Sequence, residues 1–183
     1  MALGVPIGTS LGIAAVATVY QFNLGIAMLG VNFSSGIASF PLLAIPFFVL
    51  AGVILQKAGL AASIAHFFEL LVGKAVGGLA MVAVMTCIFW GSLSGSGPAT
   101  TAAVGMILLA PMIKHGYSKS FAGATIANAA DLSIILPPSI AFIIYGNITS
   151  VSVSALFVAG IIPGLLTGAG TVLVAYLVSR KRG

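Results

Sequence analysis

The chain has 183 residues, 60% of them hydrophobic, and only 7 Lys+Arg and 2 Asp+Glu. Soluble globular domains carry about 25% charged residues, so 5% charge and a mean hydropathy of +1.24 exclude disorder, a nucleic-acid binder and an ordinary cytosolic enzyme. The net charge of +5 is spread along the chain and reports membrane orientation instead of a phosphate-binding stripe.

The charges divide the chain into long uncharged stretches, 1–56, 75–113 and 132–179. A transmembrane helix needs about 20 apolar residues, so the first stretch has room for two spans. Met1-Ala2-Leu3-Gly4 lacks a basic leader region, which argues against a secretory signal. One helix is expected over 6–30, interrupted at polar Gln21 and Asn23. A turn is expected at Val31-Asn32-Phe33-Ser34-Ser35-Gly36, then a helix over 41–56 in which Pro46 predicts a kink or a later start. Over 59–73, Leu60, Ile64, Phe67, Phe68 and Leu71 share one helical face, while Ser63, His66 and Glu69 lie away from it. This segment is too short and too polar to span, and is expected to lie along the membrane surface with both phenylalanines dipping into lipid.

Between Lys74 and Lys114, Ala75–Trp90 and Ala99–Ile113 are helices of roughly 24 and 22 Å. They are joined by Gly91-Ser92-Leu93-Ser94-Gly95-Ser96-Gly97-Pro98. Irregular backbone at membrane depth survives only buried in protein or lining a wet cavity. A re-entrant hairpin meets that condition and returns both lysines to one side, as two full spans would also do. Farther on, Pro137 and Pro138 break an apolar stretch into half-helices over 119–132 and 138–147. A last helix over 154–178, with Pro163-Gly164 inside, ends at Arg180-Lys181-Arg182. Placing that basic end in the cytoplasm and counting crossings backwards puts every cation on the cytoplasmic side.

Two broken elements side by side expose carbonyls and N–H groups, which discontinuous helices use for Na⁺ and for anionic substrates. The candidate cation-binding residues are Ser92, Ser94, Gly95 and Ser96 on the tip, Ser133, Ile134 and Leu136 at the break, and Asp131 beside it. The substrate-facing candidates are Pro98, Thr100, Thr101, Asn128, Pro138 and Ser139. Asp131 within a membrane segment points to cation ligation, a proton relay or a protonated acid; the competing reading is that it lies near a helix end, or pairs with Lys119 or a partner's cation. Packing of small residues is the competing reading for the whole glycine and serine cluster. His66 and His115 are isolated in sequence, Cys87 is alone, and no transition-metal site or cofactor is expected.

Three motif groups, Ser94-Gly95-Ser96-Gly97-Pro98-Ala99-Thr100, Pro111-Met112-Ile113-Lys114-His115-Gly116-Tyr117 and Leu136-Pro137-Pro138-Ser139-Ile140 with Ile144-Tyr145-Gly146, resemble the large membrane subunit of tripartite ATP-independent periplasmic (TRAP) transporters. So do Phe40-Pro41-Leu42-Leu43-Ala44-Ile45-Pro46-Phe47-Phe48, Gly77-Gly78-Leu79-Ala80-Met81 and the stretch from Leu156 to Leu166. The resemblance implies an all-α integral membrane fold that is one half of an inverted-repeat elevator transporter. Its segments are scaffold helices (1–58), an interfacial arm helix (59–74), a re-entrant hairpin (75–114), a broken transmembrane helix (117–148) and a last helix (153–183). It further implies import of an organic acid with Na⁺ as coupling ion. The implied partners are a periplasmic substrate-binding protein, a small membrane subunit and, if separately encoded, the second half of the large subunit. The implied location is a bacterial or archaeal cytoplasmic membrane. The family protein is about twice as long and commonly has small residues where this chain has Asn128, Asp131 and Ser133. Hence the chain reads as a truncated or separately encoded half, and a non-transporting scaffold or assembly subunit, or an inactive fragment, stays open as an alternative. An intramembrane enzyme is disfavoured, because one intramembrane Asp and no HExxH motif leave no catalytic pair.

Overall fold

The computed structural model describes residues 6–182, and these are helices joined by short turns, with no strand among them. The leader reading of Met1–Gly4 lies outside the described residues. The chain divides into two compact units, residues 1–43 and 44–183.

The first unit holds α1 (Ile7–Gln21) and α2 (Ile26–Ile37). The interruption expected at Gln21 and Asn23 is real: α1 ends at Gln21, and Asn23 (φ 51°) and Gly25 (φ 81°) turn the chain. The turn expected over 31–36 is instead part of α2. Its polar residues bond inside the helix, Ser35 Oγ donating to the Asn32 carbonyl at 3.2 Å. An apolar surrounding favours that closure, since it gives open backbone no water to bond.

Helix α3 (Phe40–Lys57) keeps Pro46 within it and leads into the second unit, where α4 (Leu60–Val72), α5 (Gly78–Ser94), α6 (Gly97–Lys114), α7 (Lys119–Asp131), α8 (Ile140–Thr149) and α9 (Val153–Arg182) follow. By length and composition, Gly97–Lys114 and Val153–Arg180 are each able to cross a membrane. The helices α4, α5 and α8 are shorter apolar helices.

Helix α5 is the centre of the unit. Every residue from Gly78 to Val84 is buried, as expected of a helix apolar on all sides. Around it pack α4, α6, α7 and α9. The contacts use small residues, Ala61 and Ala65 on α4, Ala103 on α6, and Ala122, Ala129 and Ala130 on α7. Small side chains let backbones approach and gain dispersion contacts where lipid supplies no hydrophobic drive. Trp90, 1% exposed, is part of the buried core one turn before the hairpin tip. Helix α9 lies against the unit through Gly160, Gly164 and Gly168, at i, i+4 and i+8. A Cβ on Gly160 would stand 2.5 Å from the Ile135 carbonyl, one on Gly164 2.7 Å from Leu136, and one on Gly168 3.1 Å from Ile88.

The packed face of α4 differs from the face read off the periodicity. Ala61, Ile64 and Ala65 are buried, and Leu60, Phe68 and Val72 pack on the core beside them. Phe67 and Leu71 stay exposed, at 56% and 61%. Phe68 therefore turns toward α5, its ring 6.3 Å from that of Phe89 and edge-on to it. The alanines carry the contact, and a count of large apolar residues does not register them.

Candidate functional site

The hairpin is tighter than its sequence suggests. Helix α5 continues through Ser92 and Leu93 to Ser94, and α6 opens at Gly97, so only Gly95 and Ser96 form the tip. Gly95 takes φ 62°, a left-handed turn that a side chain would strain. The broken helix runs through α7 to Asp131, a 3₁₀ turn at Leu132–Ile134, the two prolines, and α8 from Ile140. Both broken elements thus occur where the prolines and glycines place them.

The tip and the break touch backbone to backbone. The Ile140 N–H donates to the Gly95 carbonyl at 3.3 Å. A Cβ on Gly91 would stand 2.5 Å from Ser133 Cβ, and one on Gly95 3.1 Å from the Pro138 carbonyl. A third helix reaches the tip, since a Cβ on Gly52 of α3 would stand 3.8 Å from Ser94. At the opening of α6, a Cβ on Gly97 would meet the Ala130 carbonyl at 3.5 Å, Asp131 Oδ1 at 3.6 Å and Ser133 Oγ at 3.7 Å. Three oxygens, from the end of α7 and from the 3₁₀ turn that follows it, therefore lie around one point beside the first turn of α6. That turn has no side-chain cap, so its free N–H groups keep their partial positive charge.

The hydroxyls are largely engaged. Ser94 Oγ and Thr100 Oγ1, both buried, are 2.9 Å apart. Ser94 Oγ also lies 3.5 Å from the Ser96 N–H and 3.5 Å from its carbonyl. Ser133 Oγ, fully buried, donates to the Ala130 carbonyl at 2.6 Å. Ser139 Oγ donates to the Ile134 carbonyl at 2.6 Å and caps α8 by accepting from the Phe142 N–H at 3.4 Å. The start of α8 is thus closed by its own serine, whereas the start of α6 is not. Thr101 bonds back to the Gly97 carbonyl at 3.0 Å, and Ser92 to that of Phe89 at 2.7 Å.

Of the cation-binding candidates, Ser94, Gly95, Ser96, Asp131 and Ser133 come together at the tip and break. Asp131 is exposed at the end of α7 and forms no ion pair with Lys119; the ion pair among the described residues is His66 with Glu69, at 3.7 Å. Ile134 contributes a carbonyl already taken by Ser139, and Leu136 packs its side chain against Gly164. Of the substrate-facing candidates, Pro98 and Asn128 are exposed, Thr101 and Pro138 half-buried, and Thr100 and Ser139 buried. Asn128 lines a groove of about 470 Å³ between α7 and α9, with Thr125, Thr167 and Thr171. The residue types do not reveal Gly91 and Gly97 as contact points, nor the Ala130 carbonyl as an oxygen beside the start of α6. Their signal was the run of glycines at 91, 95 and 97, which marks close approach as well as turning. Among the described residues no His, Cys, Asp or Glu cluster could hold a metal ion.

Comparison with known proteins gives this arrangement a family. The chain is 40% identical to the isethionate TRAP transporter permease protein DctMQ of Oleidesulfovibrio alaskensis, over 100% of this chain and 29% of that protein. It is 40% identical to the C4-dicarboxylate TRAP transporter large permease protein DctM of Vibrio cholerae, over 98% of this chain and 40% of the relative. It is 36% identical to the sialic acid large permease SiaM of the same organism, over 98% and 42%. The chain thus spans under half the length of each of these curated relatives. The family model described as the DctM component of the tripartite ATP-independent periplasmic transporter matches residues 1–183, and the chain, a multi-pass membrane protein by its helices and its relatives, belongs to that family.

Proposed function

We propose that the chain is the membrane-embedded part of a Na⁺-coupled secondary transporter of elevator type. It imports an organic acid delivered by a periplasmic binding protein, with a small membrane subunit alongside, across a bacterial or archaeal inner membrane. The observation that carries the reading is the convergence of the Ala130 carbonyl, Asp131 and Ser133 on the uncapped opening of α6. Na⁺ bound among these oxygens offsets the Asp131 charge, and the first-turn N–H groups of α6 then favour a carboxylate or sulfonate. The printed names of the relatives, isethionate, C4-dicarboxylate and sialic acid, all denote organic acids. The C-terminus lies in the cytoplasm in this reading, because Lys74, Lys114, Lys119 and Arg180 sit at helix ends away from the tip.

The engaged hydroxyls favour a second reading, in which the tip is a packing surface in a scaffold that transports nothing. Proteoliposomes holding the protein and its binding protein separate the two. A Na⁺ gradient drives uptake of the cognate acid in the first reading, and Asp131→Asn lowers it. Uptake indifferent to Na⁺ and to Asp131 contradicts it.

A further inference from the structure

The outer surface of the second unit is of two kinds. Along one face α9 presents large apolar side chains, Val158, Ile162, Leu165 and Leu173, each more than half exposed, as suits contact with lipid tails. Between α9 and α7 the surface changes. The groove of about 470 Å³ there is walled by Thr125 and Asn128 on α7 and by Thr167, Gly170, Thr171 and Val174 on α9. Asn128 is exposed, and its amide makes no hydrogen bond among the described residues. It stands about 14 Å along α7 from Lys119, too deep for a lipid headgroup to reach, and an acyl chain gives it no partner. An unpaired amide facing hydrocarbon is costly. The threonine hydroxyls donate within their own helices, Thr125 to the Phe121 carbonyl at 2.8 Å, Thr167 to that of Pro163 at 2.7 Å and Thr171 to that of Thr167 at 2.8 Å, and each oxygen can still accept. Gly170 is a second, independent observation. A glycine inside a helix is unfavourable relative to alanine. Gly160, Gly164 and Gly168 each lie against a neighbour within the unit, but a Cβ on Gly170 meets nothing within 4 Å. Bare backbone in the wall of a groove lets a second helix approach closely.

We propose that this groove seats a transmembrane helix that presents a small residue to Gly170 and a hydrogen-bonding side chain, of the serine, threonine, asparagine or glutamine kind, to Asn128. The groove runs along α9 from Thr167 to Val178, about 16 Å, and so takes three turns of a helix. The occupant is a further stretch of the same permease. This chain covers 40% of the Vibrio cholerae DctM and 29% of DctMQ, so in those relatives more polypeptide is joined to the matched part. A tethered segment docks at an effective concentration that a separate copy does not reach. The assignment is independent of the cation reading, because it uses neither Asp131 nor the tip. It moves Asn128 from the substrate-facing set to a contact between helices.

The test is a single polypeptide in which this chain stands in for the matched stretch of the Vibrio cholerae DctM, with photoreactive p-benzoylphenylalanine at position 174. Illumination in the membrane is expected to cross-link that position to a peptide of the Vibrio cholerae part, read by mass spectrometry. Gly170→Leu fills the groove wall and is expected to lower the yield about tenfold, the factor for one overpacked contact. Gly170→Ala lowers it less, and carries the test if the leucine variant is not recovered. Asn128→Leu is expected to lower the yield about threefold, the worth of one hydrogen bond between membrane helices, while Asn128→Gln keeps most of it. In this chain on its own, Gly170→Leu should leave the melting temperature unchanged or raised, because the added side chain enters open space. A fall there makes Gly170 a packing residue of the unit and overturns the groove. Adducts with lipid alone, or with a second copy of this chain, overturn the occupant. A yield indifferent to both Gly170→Leu and Asn128→Leu overturns the docking surface itself.

Discussion

The two ends of the α5–α6 hairpin are built on opposite plans. At the tip, Gly91, Gly95 and Gly97 bring three backbone segments into contact, and serine hydroxyls close on one another or on nearby carbonyls. At the base, the charged and polar side chains of Glu69, Lys74, His66 and His115 surround open space. Fixed backbone dipoles suit a small ion that must be held without reorganisation, whereas long side chains at a helix end are free to rearrange. A side chain added at a tip glycine therefore acts by sterics, and a substitution at the base by charge.

The largest effect expected is steric. Gly91→Ala places a Cβ where Ser133 already stands, 2.5 Å away, and overpacking of this kind costs about 1–3 kcal/mol. Gly105→Ala, in the next helix, has nothing within 4 Å and should stabilise by up to about 1 kcal/mol through helix propensity. Thermal melting in detergent reads both, and equal effects at the two glycines would show that the tip does not touch the break. Next, Ser94→Ala strands the buried Thr100 hydroxyl and should cost about 1–3 kcal/mol. Adding Thr100→Val should recover most of that loss, because both partners are then apolar. A double variant as unstable as the single one would mean that the pair is not a closed hydrogen bond.

On α4, Phe68→Ala should cost about 2 kcal/mol, below the roughly 3–5 of a fully buried ring, and Phe67→Ala much less. Equal costs at the two positions would place both rings on one face, as the periodicity reads them. Smallest in energy is the topology test on a Cys87→Ala background. Single cysteines at Lys114 and Arg180 should label from one side of the membrane, and those at Asn147 and Ser152 from the other. Labelling of Lys114 together with Asn147 breaks the arrangement.

Much of this architecture was legible in the residues. Prolines 137 and 138 cannot continue a helix, and Gly95 suits a left-handed turn, so the sequence located both breaks and the hairpin. The long α9 followed from its uncharged run and basic end. The turn expected at 31–36 is helix instead: serine and asparagine favour turns in water, but here they lie within α2 and Ser35 bonds back to the Asn32 carbonyl. At the site, residue types point to Ser94, Ser133 and Asp131, yet the atom nearest a Cβ on Gly97 is the backbone carbonyl oxygen of Ala130. A carbonyl has no sequence signature. The base pocket escaped for another reason. His66 and His115 stand far apart in the chain, and only folding brings them to adjoining walls with Ser179.

The central claim is that tip and break hold Na⁺, and Na⁺-dependent thermal stabilisation of the purified protein tests it most directly. A ligand bound only to the native state adds about 2.7 kcal/mol of stability at a hundred times its dissociation constant. The account predicts that Na⁺ raises the melting temperature above that in equal K⁺ or choline. It further predicts that Asp131→Asn removes most of that rise, and that Ser133→Ala removes a smaller part. Equal protection by the three cations, or a Na⁺ effect that survives both substitutions, would contradict the cation site and leave the tip as a packing surface.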